Sequence, residues 1–92
     1  MSFTVTDNPE ASRYELRDGD TLAGFTRYHL RGGAIVFTHT QVSDDYEGQG
    51  AGSHLAQEAL DDARRRRLRV VALCPFIAAW IERHPDYADL VA

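Results

Sequence analysis

Residues 46–55 read YEGQGAGSHL, with glycine at 48, 50 and 52 and a helix-like spacing of apolar residues that starts at Leu55. Alternate residues without a Cβ let the backbone come close to a ligand and adopt left-handed conformations. Peptide N–H groups can then converge on an anion, and the helix that follows adds the positive end of its dipole. A dinucleotide fingerprint would need a glycine at 53, where serine stands, and a phosphate-binding loop of the Gly-Lys-Ser/Thr type would need lysine, which the chain lacks. A plain flexible turn and a pyrophosphate cradle at a helix start are the readings left open.

The flanks favour the cradle. Before the loop the chain reads as strands: 3–6, then 12–17, 21–30 and 34–42, joined by turn signals at Asp18-Gly19-Asp20 and Arg31-Gly32-Gly33. In 12–17, Tyr14 and Leu16 alternate with Arg13, Glu15 and Arg17, as a half-buried strand requires. After the loop the period changes. Leu55, Ala56, Ala59, Leu60 and Ala63 recur at three and four, which predicts an amphipathic helix over 50–67. Residues 70–73 form a short apolar strand, and Cys74-Pro75 opens a second helix that carries Phe76, Ile77, Trp80 and Ile81. Pro85 ends it, and 86–91 suit one last helical turn. The expected fold is a mixed α/β domain over 1–92: an antiparallel meander, the glycine loop, a helix, a strand parallel to 34–42, and a C-terminal helix. Ligands of such sheets sit beyond the carboxyl ends of the strands, where both the loop and Cys74 leave.

Composition narrows the partners. Of 92 residues, 43% are hydrophobic and 26% charged, ordinary globular values. The net charge of −4 argues against a general affinity for nucleic acid or anionic membrane. A single cysteine excludes an internal disulfide, and no two histidines have metal-site spacing, so no metal is expected. With neither a signal-like start nor a long apolar run, the expected location is the cytoplasm. Arg64–Arg67 span all sides of a helix and read as its solvated end.

Gly-x-Gly-x-Gly after a strand, followed by helix, short strand and helix, resembles the GNAT N-acetyltransferase superfamily. HTQV at 39–42, LCPF at 73–76 and RHPDYADLV at 83–91 extend the likeness to a small, minimal GNAT-like family across roughly 12–91. The resemblance implies acetyl-CoA as cosubstrate and an amine acceptor of unknown identity, for a protein that is a monomer or homodimer. It implies a pyrophosphate on Glu47, Gly48, Gln49, Gly50, Ala51, Gly52 and Ser53, and pantetheine between strands 34–42 and 70–73, beside Pro75 and Phe76. Backbone at Gln41, Val42 and Ser43 would pair with the pantetheine amides. Glu47 departs from the pattern, since the superfamily has arginine or glutamine there and a carboxylate repels phosphate.

Three side chains are candidates for the chemistry. Cys74 ends a strand at the N-cap of a helix, a place that favours the reactive thiolate, so an acetyl-cysteine intermediate is one route; a small buried hydrophobe is the alternative. His39, on strand 34–42, could relay a proton from the acceptor amine, or serve only the sheet. Tyr87 could protonate the departing thiolate, or anchor the C-terminal turn. A binding module that holds CoA without catalysis, or a protein-interaction domain, is the rival, because strand 34–42 offers no carboxylate as base.

Overall fold

The computed structural model describes residues 3–91; Met1, Ser2 and Ala92, the ends of the domain expected over 1–92, lie outside them. Five strands form one sheet in chain order: β1 (Phe3–Asn8), β2 (Arg13–Asp18), β3 (Thr21–Arg31), β4 (Ala34–Val42) and β5 (Arg69–Ala72). The first four pair antiparallel, and β5 pairs parallel to β4 after a crossover through helix α1 (Ala51–Arg65). Helix α2 (Pro75–Arg83) and a 3-10 turn (Pro85–Leu90) complete the chain. This is the expected mixed α/β architecture.

Both helices cover one face of the sheet. Tyr14, Leu16, Ile35, Phe37 and Val70 from the strands meet Leu55, Ala59, Leu60 and Ala63 of α1 and Ile77 and Trp80 of α2 in one buried cluster. The apolar stripe read from the sequence is therefore the buried stripe of α1, whose removal from water is the main folding drive.

Several elements, among them β5 at Arg69–Ala72 where 70–73 is expected, shift by a single residue, and three differences are larger. Strand β1 runs on to Asn8, because Asp7 and Asn8 still pair with Tyr14 and Arg13. A 3-10 turn over Asp44–Tyr46, capped by the Ser43 hydroxyl accepting from the Asp45 N–H at 3.3 Å, stands between β4 and the glycine loop. Helix α1 stops at Arg65, and Arg67 takes a left-handed conformation (φ 57°).

That ending satisfies the last carbonyls of α1: the Arg67 N–H donates to Arg64 O at 3.1 Å and the Leu68 N–H to Ala63 O at 2.9 Å. Glycine is the usual residue there, since a Cβ is strained at positive φ. Arg67→Gly should therefore raise unfolding free energy by about 0.5–1 kcal/mol, as read by urea denaturation; a loss of stability would show that the arginine side chain itself matters.

The arginine run is also more than a solvated end. Arg64 makes a two-pronged ion pair with Asp89 (2.8 and 3.1 Å), and Arg66 reaches Asp7, Asp62 and the Tyr14 hydroxyl, each at 3.4 Å. These contacts tie the end of α1 to the C-terminal turn and to β1 and β2, partners far away in sequence.

Candidate functional site

The site is built by two strands that part. The β4–β5 ladder covers only Ala34–Phe37 against Arg69–Ala72. At its end the Phe37 carbonyl accepts from both the Leu73 and Cys74 N–H groups, each at 3.0 Å. From this pivot the chain turns into α2, with Pro75 in its first turn, where a missing N–H costs nothing. Strand β4 continues to Val42 paired with β3 alone, so its outer edge from Thr38 onward has no strand beside it. An extended ligand can add to such an edge.

The glycine loop lies at the end of that open edge. Gly48 (φ 79°) and Gly50 (φ 73°) are both left-handed, and Gly50 caps α1 without any side-chain hydrogen bond. A Cβ built on either glycine meets no protein atom within 4 Å. The space above them is open, and the protein's own packing does not call for glycine there. The N–H groups of Gly48, Gly50, Ala51, Gly52 and Ser53 find no acceptor among the described residues, as expected of a helix start that receives an anion.

Contacts from outside the loop hold it in place. The Tyr46 hydroxyl donates to Asp18 at 3.0 Å and its ring meets Phe3 edge-on, which pins the start of the loop to the β2–β3 turn. Burial first, and Asp18 second, push the Tyr46 hydroxyl pKa up, so it stays protonated as a donor. On the other side, Trp80 Nε1–H donates to the Ser53 hydroxyl at 2.9 Å. The Phe76 ring lies over Gly52, where a Cβ would stand 2.9 Å from Cζ. Phe76 and Leu73 are large apolar residues left exposed on this rim, at 37% and 64%.

The structure thus brings together Gln41, Val42, Ser43, the whole of 47–53, Pro75 and Phe76 around one end of the sheet. It also limits what some of them can do. The Ser43 N–H already donates to Ala23 O at 2.8 Å, so it is not free for a ligand amide. Glu47 is exposed, and with Asp44 and Asp45 it makes this end acidic; no arginine occurs between Arg31 and Arg64. An anion at the loop would meet backbone N–H groups and no arginine from this stretch of the chain.

The chemical candidates separate. Cys74 is at the helix N-cap as expected, yet it is only 3% exposed, and its thiol donates to Thr40 Oγ1 at 3.2 Å, with Thr26 Oγ1 a further 2.9 Å on. It is packed in the core. His39 lies on the opposite, helix-free face of the sheet, exposed beside Phe25 (6.1 Å between ring centroids). Tyr87 is tied to α1. Its hydroxyl donates to Asp61 at 2.7 Å, and burial, then that carboxylate, push its pKa up to about 12. Asp61 stands ten residues into α1, about 15 Å along it from the loop, so the Tyr87 hydroxyl anchors the C-terminal turn to α1, while its ring packs on Trp80 at 4.9 Å.

Next to Gln41, residues Leu22, Ala23, Gly24, Phe25 and Ser43 line a shallow cavity of about 110 Å³ at the end of β4. Gly24 lets the two strands close up, since a Cβ there would lie 2.7 Å from Gln41 O. The Tyr46–Asp18 and Trp80–Ser53 ties were not foreseen, although Tyr46 immediately precedes the loop.

Parted parallel strands with a glycine loop at a helix start define a GNAT-like α/β fold, and the comparisons agree. A family model described as GCN5-related N-acetyl-transferase matches residues 13–90, and the chain belongs to this family. Among named relatives, Protein NATD1 of Bos taurus is 37% identical over 59 residues, and that of Homo sapiens 36% over 59 residues. Each match covers 63% of this chain and 52% of the relative, so the chain spans about half the length of the curated relatives it matches. The NMR structure of a GCN5-like protein from Staphylococcus aureus superposes with a TM-score of 0.74 at 24% identity, covering 97% of this chain and 87% of that one; it shares the fold. Among the described residues no helix is long and apolar enough to cross a membrane, and no cluster of three or more metal-ligating side chains occurs.

Proposed function

We propose that the chain is an acetyl-CoA-dependent N-acetyltransferase that passes the acetyl group directly to an amine. The observation that carries this reading is the set of unengaged N–H groups over Gly48–Ser53, under open space and beside the free edge of β4. Those donors suit the pyrophosphate, the β4 edge suits the pantetheine amides, and Leu73 and Phe76 offer apolar walls. Acetyl-CoA supplies the acetyl group as a thioester; the amine forms the new C–N bond, the C–S bond breaks, and the amine proton ends on solvent or the departing thiolate. The thiol of CoA, like that of cysteine, has a pKa of about 8.5, so it leaves without an obligatory acid. The acceptor approaches from the helix-free face, by the cavity at Gln41, where exposed His39 is the group on β4 able to take a proton.

Two measurements test this together. CoA at about 100 times its Kd should stabilise the protein by roughly 2.7 kcal/mol in thermal melts, and acetyl-CoA with a panel of amines should release free thiol. Absence of a melting shift overturns the CoA reading; a shift with no thiol release for any amine reduces the protein to a CoA-binding module.

A relay through Cys74 is disfavoured by its burial, because the thiol must leave Thr40 and the core to reach a thioester. Cys74→Ala should keep turnover within about threefold, and intact-mass spectra should find no acetyl adduct on Cys74; a stable adduct with inactive Cys74→Ala would establish the relay instead. Glu47→Arg should tighten CoA binding about threefold by replacing repulsion with attraction at an exposed position. Calorimetry that finds unchanged or weaker binding would show that residue 47 does not face the phosphates.

A further inference from the structure

The face of the sheet that carries no helix is strongly basic in an acidic protein. Register places Arg13, Glu15 and Arg17 of β2, Phe25, Arg27, His29 and Arg31 of β3, His39 and Gln41 of β4, and Arg69 of β5 on it. Five arginines against one glutamate give this face a formal charge of +4, while the whole chain carries −4. Every other carboxylate lies in a turn, on a helix or on the covered side. Glu15 is engaged by Arg13 at 2.8 Å and Arg17 at 3.0 Å; burial alone would raise its pKa, but hydrogen bonds from Arg17, Arg13 and Asn8 hold it below the usual carboxylate value.

Arg27, Arg31 and Arg69 make no ion pair among the described residues. Arg31 and Arg69 flank Ala34 on the neighbouring strand, about 10 Å apart across two strand spacings. Like charges so arranged repel and add nothing to folding. They are set out for an anionic partner.

We propose that this face docks an acidic polypeptide segment. Guanidinium groups on a flat surface match carboxylates in two-pronged pairs, and an extended chain can lie across the strands. A single-stranded nucleic acid would satisfy the charge but needs open aromatic rings for its bases. Phe25 is the one phenyl ring on this face among the described residues, beside the imidazoles of His29 and His39, and two guanidinium groups already engage it, Arg13 at 4.7 Å and Arg27 at 5.5 Å. This inference stands on charge and register, independent of the CoA reading.

The test is fluorescence anisotropy with a labelled poly-glutamate peptide of about ten residues, which extended spans about 33 Å, comparable to the 34 Å long axis of the molecule. Saturable binding that weakens with added salt is expected. The double variant Arg27→Glu/Arg31→Glu should bind about tenfold more weakly with an unchanged melting temperature, and Arg27→Gln/Arg31→Gln should fall between. Arg83→Glu, an exposed reversal on α2, should bind as the parent does. No binding by the parent, or an equal loss in Arg83→Glu, overturns the proposal. So does tighter binding of an oligothymidylate of similar length that the double variant also loses, which would assign the face to nucleic acid.

Discussion

Gly50→Val is expected to weaken CoA binding by at least about 100-fold in calorimetry. Gly50 holds φ 73° as the N-cap of α1, and a β-branched residue there is strained, at a cost of about 2 kcal/mol or more. The protein offers no steric objection of its own, because a Cβ at this position meets nothing within 4 Å. The isopropyl group would instead fill the space over the N–H groups of 50–53. Each charge-assisted hydrogen bond lost is worth about 1.5–3 kcal/mol, and two of them exceed the 2.8 kcal/mol or so that a 100-fold change represents. Strain alone must be separated from occlusion. Gly33→Val does this: Gly33 has φ 83°, also with nothing within 4 Å of a built Cβ, at the opposite end of β4. It should lose comparable stability and keep full affinity. If both variants bind CoA as the parent does, the glycine loop is not the pyrophosphate site.

Local signals in the sequence carry most of the fold and part of the site. The alternation in β2, with Tyr14 and Leu16 inward and Arg13, Glu15 and Arg17 outward, already separates the covered face from the bare one. The three- and four-residue spacing in α1 gives its buried stripe, and Pro75 marks the start of α2. What local spacing cannot show is which distant groups meet. Cys74 and Thr40 are 34 residues apart, Tyr87 and Asp61 are 26, and Trp80 and Ser53 are 27. Those meetings decide that the thiol is buried, that Tyr87 is an anchor and that the loop is braced from α2. The basic face was hidden for the same reason: its arginines come from three strands and their charges sum only once the register is set. Arg67 ending a helix without glycine was hidden because arginine is a good helix former, and only the pattern of donors to Arg64 and Ala63 reveals the left-handed turn.

Trp80→Ala should produce the largest loss of stability of any single change considered, about 3–5 kcal/mol. Trp80 is 2% exposed and lies where α2, α1 and the C-terminal turn converge. Its indole stacks on His84 at 3.7 Å between ring centroids, meets the Tyr87 ring edge-on at 4.9 Å, and donates to Ser53. His84 is fixed in turn by its Nδ1–H donating to the Trp80 carbonyl at 2.7 Å. Removing the indole leaves a cavity that three elements cannot all collapse into. For a domain of this size each kcal/mol lowers the midpoint by about 4–8 °C, so Trp80→Ala should lose well over 10 °C. Trp80→Phe distinguishes packing from the link to the loop. It keeps most of the bulk but cannot donate to Ser53, and so should cost about 1–2 kcal/mol. Because Ser53 belongs to the first turn of α1, the same variant should also weaken CoA binding severalfold while remaining folded. A Trp80→Ala protein that melts within a few degrees of the parent would mean that α2 does not brace the glycine loop.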